Sequence, residues 1–346
     1  MTTSIKLAQV LAGGSAGGAE NYFTRMACAL QEYPNLQQRA FTRPNVLREE
    51  RLQKAGVDYN TFRFGGKLSL LDHWQYRKAL RDFSPDIVLS YMNRATSLTP
   101  ASTHYQLVGR LGHYYDLKYY RHCDHWIGIT KGICDHLIQG GMPPSRVTKI
   151  GNFVDETSAD PLPRSSFNTN GQEPILLATG RLHENKAFDT LLKAFKKVPQ
   201  GTLWLAGSGP EEKALKSLCS ALELNERVRF LGWRNDINAL LRTADVYICS
   251  SRHEGLGSIV PEAWFNQCPI VATRSQGPGE LIEHETTGLL CEIDDDGALA
   301  SHINVILDSP TLGKKLAVNA KCHYETHYSQ KVITGAYLQF FEHLTR

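Results

Sequence analysis

The chain has 346 residues, 42% of them hydrophobic and 21% charged, with 28 Gly and 15 Pro, a composition that excludes collagen-like, coiled-coil and disordered classes. At roughly 100–200 residues per domain, this length predicts two domains with full cores. Thirty-eight Lys and Arg against 35 Asp and Glu leave a formal charge of +3, too near balance for a general binder of nucleic acid or another polyanion.

Residues 5–11 (IKLAQVL) are a continuous apolar run and predict a buried strand. The run is short, has no basic region before it and ends in glycines, so a secretion signal is not expected. No stretch of the chain reaches the roughly 18 apolar residues of a membrane span. Gly13, Gly14, Ser15, Ala16, Gly17 and Gly18 follow, leading into the helical spacing of residues 19–32. Such a loop serves either as a phosphate contact, through close backbone approach at a helix start, or as a tight turn. Its spacing is not G-x-G-x-x-G, no acid stands where a ribose-binding residue would follow a second strand, and no G-x-x-x-x-G-K-[ST] occurs. Nicotinamide binding and P-loop chemistry therefore lack their motifs.

Residues 86–90 (DIVLS) predict a further strand, and strand-helix-strand order points to a parallel sheet. Between residues 156 and 173 the periodic pattern stops, and prolines with small polar residues predict a linker. Alternation then resumes with PILLATGRL, FDTLLKAFKKV, TLWLAGSG, EEKALKSLCSALEL, RVRFLGW, INALLRTA, DVYICS and PIVATRS. This is the output of a doubly wound α/β domain. Two such domains predict a ligand cleft between the carboxyl ends of two parallel sheets. Residues 331–344 (KVITGAYLQFFEHL) are aromatic-rich with helical spacing and predict a packing helix. The eight cysteines contain no C-x-x-C pair, and buried free thiols in the cytoplasm are expected.

The charge is unevenly divided. Through residue 160 there are 19 basic and 14 acidic residues, and beyond it 19 and 21, about +5 and −2. The basic half suits an acidic acceptor or anionic lipid headgroups, or is simply a solvated surface.

The residues able to carry chemistry cluster in the second half. In LLATGRLHENKAFDTLLKAF, Gly180 lets the chain turn, and Arg181 and Lys186 lie in the loop entering the next helix. Two fixed cations there suit a diphosphate, most of all one gaining charge as a leaving group; surface charge is the other reading. In SSRHEGLGSIVPEAWF, Glu254 falls in a glycine-containing loop after a strand, and Glu262 follows Pro261 in the first helical turn. Such carboxylates accept hydrogen bonds from sugar and ribose hydroxyls, while the amides of Gly255, Leu256, Gly257 and Ser258 remain available for phosphate. Asp294, Asp295 and Asp296 look like a D-x-D metal site but stand where helix caps are expected, and the 13 histidines show no metal-ligand spacing. No metal is expected.

At these residues the chain resembles the retaining glycosyltransferases of glycosyltransferase family 4. The resemblance covers nearly the whole chain and is strongest from 180 to 288, on GRL with Lys186, AGSGPEE, RVRFLGW, HEGLGSIVPEA and GPGELIEHETTGLL, and weaker at GGAEN in the first loop. It implies a GT-B fold: an acceptor-side Rossmann-like domain over 1–155, a linker over 156–173, a nucleotide-sugar domain over 174–328, and a C-terminal helix over 329–346 crossing back to the first domain. It further implies that Arg181 and Lys186 grip the donor diphosphate, Glu262 binds the ribose and Glu254 contacts donor-sugar hydroxyls. Gly232 and Trp233 would frame the base, Gly17 and Gly18 would approach the phosphate, and His113 lies where the family has an active-site histidine. The wording GHYYDLKYY around His113, and Ala187 where relatives often have Gly, depart from the family pattern.

The resulting expectation is a cytoplasmic, metal-independent enzyme without a resident cofactor, working at the inner face of the membrane. It would move a sugar from a UDP or GDP donor to a saccharide or lipid-linked acceptor, as in lipopolysaccharide biosynthesis. A sugar-nucleotide epimerase and a non-catalytic nucleotide-sugar module are the alternatives.

Overall fold

The structure is a computed structural model that describes residues 4–14, 17–65 and 69–346. The chain divides into two compact units, one of Met1–Phe153 with Gln330–Arg346, the other of Val154–Ser329.

The first unit holds seven strands: β1 (Ile5–Leu11), β2 (Leu36–Thr42), β3 (Asp58–Thr61), β4 (Ile87–Tyr91), β5 (Gln106–Leu111), β6 (His125–Gly128) and β7 (Val147–Lys149). They pair in the order β3-β2-β1-β4-β5-β6-β7, every pairing parallel. Helices α1 (Gly18–Leu30), α2 (Val46–Lys54), α3 (Leu70–Phe83), α4 (Met92–Leu98) and α5 (Lys131–Gln139) make the crossovers. The continuous apolar run of β1 reflects a strand covered on both faces. Phe23, Met26 and Leu30 of α1 recur at helical spacing and pack with Leu7, Leu11, Ile87, Leu89 and Val108 of the sheet.

The second unit has six strands: β8 (Ile175–Thr179), β9 (Thr202–Ala206), β10 (Val228–Gly232), β11 (Val246–Cys249), β12 (Ile270–Thr273) and β13 (Leu289–Cys291). Their order is β10-β9-β8-β11-β12-β13, again all parallel. Between them run α6 (Phe188–Lys196), α7 (Glu212–Ala221), α8 (Ile237–Thr243), α9 (Ile259–Phe265) and α10 (Gln276–Leu281), followed by α11 (Asp296–Asp308) and α12 (Pro310–His327). Phe188, Leu191, Leu192 and Phe195 form the apolar stripe of α6 and close the core over Leu176, Ala178, Leu203 and Leu205.

The polar stretch 156–173, which the absence of periodicity predicts as a linker, lies within the second unit. Hydrogen bonds hold it there, together with Phe167, whose ring meets that of Trp204 edge to face at 5.0 Å. Arg164 grips both carboxylate oxygens of Asp245 at 2.7 and 3.2 Å, Leu162 N donates to Thr243 Oγ1 at 2.7 Å, and Trp204 Nε1 donates to Thr169 Oγ1 at 2.8 Å. The last helix, α13 (Gln330–Thr345), belongs to the first unit. Its Tyr337 and Phe341 are buried in that core, and Thr334 Oγ1 lies 2.7 Å from Tyr33 Oη.

All eight cysteines are free, six buried, Cys28 half-buried and Cys322 exposed. Among the described residues no helix is long and apolar enough to cross a membrane.

Candidate active site

In the second unit, the chain proceeds from β8 outward through β9 and β10, then returns to place β11 on the other side of β8. This reversal leaves the loops after β8 and β11 side by side at the carboxyl ends of the strands, the place where open parallel sheets bind ligands. Lys186 is on the first loop and Glu254 on the second.

The loop after β8 is shaped by close backbone approach. Gly180 has φ +147°, and a Cβ on Gly207, at φ +146°, would stand 1.8 Å from the Gly180 carbonyl oxygen. Only glycine permits that contact. Gly180 N donates to Ala206 O at 2.9 Å and Leu182 N to Ser208 O at 3.0 Å, so the AGSG segment is the floor of the Gly180 turn. Ala187 occupies the left-handed region at φ 50°, which explains why glycine is a natural residue at this position. Arg181 is exposed and has no ion pair or side-chain hydrogen bond among the described residues.

Lys186 Nζ donates to Glu254 Oε2 in a pair of which each side chain is no more than a quarter exposed. Burial is the largest influence on the lysine and opposes its charge, but Glu254, Cys249 and Glu262 outweigh it and hold the ammonium above its ordinary range. Glu262, in the first turn of α9, is thus within electrostatic reach of the same cation. Ser251 Oγ also donates to Glu254 Oε2, at 3.3 Å, and Ser250 Oγ donates to Lys186 O at 2.8 Å.

The two loops are stitched together by Arg252. Its amide donates to Asn185 O at 2.8 Å. Its guanidinium donates from Nη1 to Glu184 O (2.9 Å) and Asp189 Oδ1 (3.0 Å), from Nη2 to Asp189 Oδ2 (2.9 Å) and Thr190 Oγ1 (3.1 Å), and from Nε to Asp294 (2.7 Å). All five N–H donors are therefore used. Hydrogen bonds and charge from Arg252 hold the Asp294 carboxyl below its ordinary range, and for Asp189 they overcome an opposing effect of burial.

Beyond Glu254 the amides of Gly255, Leu256, Gly257 and Ser258 donate to no protein acceptor among the described residues. Gly255, Leu256 and Gly257 are buried residues and Ser258 is exposed; amides without a protein acceptor can receive ligand oxygens or water. Glu254 O accepts from Gly277 N at 2.8 Å, and Gln276 Oε1 accepts from Glu254 N at 3.1 Å, which fixes this loop against α10. Gly232 ends β10, and its carbonyl accepts from Gly207 N at 2.7 Å; Trp233 beside it is 75% exposed. Gly232 and Trp233 are thereby tied to the floor of the Gly180 turn.

In the first unit, Gly17 caps α1 and Gly18 begins it; Ser15 and Ala16 lie outside the described residues. Glu20 folds back over this loop, accepting from Gly14 N at 3.0 Å, and a Cβ on Gly17 would stand 2.4 Å from its Oε2. Buried Arg48 donates to Gly14 O at 3.1 Å and Thr42 Oγ1 at 2.8 Å. His113 follows the carboxyl end of β5, exposed, with Tyr115 N donating to its carbonyl at 2.9 Å.

The aspartate run has structural partners throughout. Asp294 takes Arg252 and Thr190, Asp295 caps α11 by accepting from Ala298 N, and Asp296 pairs with Lys197 at 2.6 Å. No cluster of three or more His, Cys, Asp or Glu able to hold a metal ion occurs among the described residues.

The family model for Glycosyltransferase Family 4 matches residues 16–158, and that for Glycosyl transferases group 1 matches residues 161–323. Over 331 residues the chain is 32% identical to the lipopolysaccharide core biosynthesis glycosyltransferase LpsD of Rhizobium meliloti, covering 95% of this chain and 96% of that protein. The chain belongs to glycosyltransferase family 4. LpsE of the same organism is 31% identical over 328 residues, covering 94% and 96% of the two chains. Among solved structures, Anabaena HepE in complex with UDP and glucose superposes with a TM-score of 0.84 at 20% identity, covering 98% of this chain and 99% of that one. The lipopolysaccharide outer core galactosyltransferase WaaB superposes with a TM-score of 0.73 at 18% identity, covering 97% and 99%. The fold of this glycosyltransferase is GT-B, with two Rossmann-like units.

Within this family 4 enzyme, the structure joins Lys186 directly to Glu254 and brings Glu262 within electrostatic reach, whereas Arg181 on the same loop touches neither carboxylate. Sequence reasoning missed Arg252 and Asp189. Arg252 stands between motif residues and reads as surface charge, and its three acidic or hydroxyl partners come from two distant helix starts. The glycines of AGSG are the signal in the sequence for the close backbone approach that shapes the Gly180 turn.

Proposed function

We propose that the chain is a retaining, metal-independent transferase of a hexosyl or hexosaminyl unit, taking it from a UDP- or GDP-sugar to a saccharide or lipid-linked acceptor in lipopolysaccharide or related envelope biosynthesis. The relatives LpsD and LpsE, matched over nearly the full length of each chain, support that pathway class.

One observation carries the site. Lys186 is hydrogen-bonded to Glu254, and the next four amides of the Glu254 loop have no protein acceptor among the described residues. In this reading the amides and Lys186 receive the diphosphate, Arg181 adds a second cation from the Gly180 turn, and Glu262 accepts from the ribose hydroxyls. Glu254 accepts from a donor-sugar hydroxyl, and Gly232 with Trp233 frames the base. The anomeric C–O bond breaks with its electron pair passing to the departing phosphate oxygen. The acceptor hydroxyl attacks from the same face and gives its proton to that oxygen. Lys186 and the fixed amides stabilise the growing negative charge, the role that a divalent ion fills elsewhere.

The test is a panel of UDP-, GDP- and ADP-sugars with and without a lipopolysaccharide-core acceptor. Acceptor-dependent release of one nucleoside diphosphate is expected, with Lys186→Ala suppressing turnover and Glu262→Ala weakening donor binding. Wild-type rates from both variants would overturn the site, and acceptor-independent conversion of the nucleotide sugar would identify an epimerase instead.

A further inference from the structure

Both backbone groups of Glu254 are held by the start of α10. Glu254 N donates to Gln276 Oε1 at 3.1 Å, and Gly277 N donates to Glu254 O at 2.8 Å. The close fit continues along the loop. A Cβ on Gly277 would stand 2.1 Å from Leu256 O, and one on Gly257, which has φ +71°, would stand 3.0 Å from Pro278 Cδ. The helix start forgoes its own cap in this arrangement. Ser275 occupies the N-cap position, where a serine hydroxyl ordinarily accepts from the amide two or three residues on. Gly277 N is taken by Glu254 O and Pro278 has no N–H, so Ser275 Oγ is buried without a hydrogen bond among the described residues. A cap contributes about 1 kcal/mol to a helix, and here the first-turn donor serves the Glu254 peptide instead.

Gln276 makes a second contact through the other end of its amide. Its Nε2 lies 3.3 Å from Nδ1 of exposed His253. The protonation of that ring follows by elimination. Glu254 N can only donate, so the atom of Gln276 that faces it is the carbonyl oxygen. The NH2 group at the opposite end can also only donate, so Nδ1 of His253 accepts. The proton of the neutral ring is then on Nε2, which makes no hydrogen bond among the described residues and remains a donor on the residue next to Glu254. The His253 amide donates to Asn185 O at 3.2 Å, on the turn that carries Lys186. His253 is therefore the point at which the loops after the adjacent strands β8, β11 and β12 meet.

We propose that Gln276 is a positioning residue for sugar transfer, fixing the Glu254 peptide with one end of its amide and locking His253 as an Nε2–H donor with the other. This role rests on the reading of Glu254 as a donor-sugar contact. Nitrogen-15 NMR of the histidine-labelled full chain at about pH 8.5, above the ordinary imidazole range, reads the tautomer without any transfer, and His253→Gln identifies the signal. The wild type should show a single tautomer with the proton on Nε2. Gln276→Met, a change of similar length at an exposed position, should give a mixture of tautomers, with kcat lower by on the order of tenfold and donor KM changed less than kcat. Gln276→Glu keeps an acceptor for Glu254 N but turns the other end into an acceptor as well. The His253 proton should then move to Nδ1, and part of the lost kcat should return. An Nδ1–H tautomer in the wild type, or wild-type kcat from Gln276→Met, would overturn the proposal. So would a loss of kcat that disappears on normalising to donor-titrated active sites, since that loss is one of folded protein. A fixed tautomer in a chain that transfers no sugar counts against the proposed function, whereas transfer with an unfixed tautomer counts against the role of Gln276 alone.

Discussion

Lys186 and Glu254 are 68 residues apart in the chain and are joined by a hydrogen-bonded ion pair at the adjacent carboxyl ends of β8 and β11. Burial disfavours the ammonium most strongly, and Glu254 is the first of the groups that reverse the balance. Because the folded-state pKa is raised, the stabilisation is complete below the lysine's ordinary value of about 10.4 and is lost as pH rises through the folded value. Glu254→Gln leaves the burial and removes the main compensating charge. The alkaline limb of the kcat/KM profile should then move to lower pH than in the wild type. An unmoved limb would show that Lys186 does not control it.

Arg252 is expected to act on the reaction without touching substrate. Its fork holds Glu184, Asp189, Thr190 and Asp294 at once, and its own amide binds Asn185, so the Lys186 turn and the Glu254 loop share one fastener. Lysine keeps the charge but cannot reproduce five planar donors. Arg252→Lys should lower kcat by on the order of 10- to 100-fold through misplacement of the pair. A merely structural role predicts a loss of active protein, with normal turnover per active site in donor titration. A site-normalised kcat equal to the wild type would therefore exclude the positioning role.

What the sequence showed and what it hid follow from where the interactions lie. Strand β1, helix α1 and the apolar stripe of α6 are local patterns of burial, legible as a run or a period. Gly180, Lys186, Glu254 and Glu262 were legible because each sits in a loop just past a predicted strand or at the start of the following helix. The assignment of 156–173 to the second unit was not legible, because Arg164, Thr169 and Leu162 are held by hydrogen bonds to residues up to 81 positions away. A polar stretch whose donors find distant partners looks the same in sequence as one that finds water. Arg252 is hidden in the sequence for the same reason, since its partners Asp189 and Asp294 are distant along the chain.

The contact between Gly207 and Gly180 gives a sharp steric test. Gly207→Ala would place a methyl group 1.8 Å from the Gly180 carbonyl oxygen at a φ of +146°, so the turn must open, at a cost of about 3 kcal/mol or more. Ala187→Gly is the opposite case, since Ala187 already holds φ 50°, and glycine there should be neutral or stabilise by about 0.5–1 kcal/mol. Denaturant melts of the two variants should diverge in sign; a neutral Gly207→Ala would mean that the turn is looser than its geometry.

In the first unit, Arg110 on β5 is 2% exposed and has no carboxylate partner among the described residues. Its cation lies over the Tyr22 ring at 4.3 Å and the Tyr91 ring at 5.2 Å, and it donates from Nε to Tyr337 Oη at 2.9 Å and from Nη2 to Asn152 Oδ1. Tyr337 comes from α13, so a charge buried among neutral acceptors ties the last helix to a central strand. Tyr337→Phe removes one acceptor from an already desolvated guanidinium and should cost about 1.5–3 kcal/mol. Hydrogen exchange at the α13 amides reads this loss locally, whatever the second unit does. Arg110→Met alone removes the charge that needs solvating, so the double variant should lose less than the sum of the two single losses. Strict additivity would show that Arg110 and Tyr337 stabilise the helix independently and that the buried charge is not its anchor.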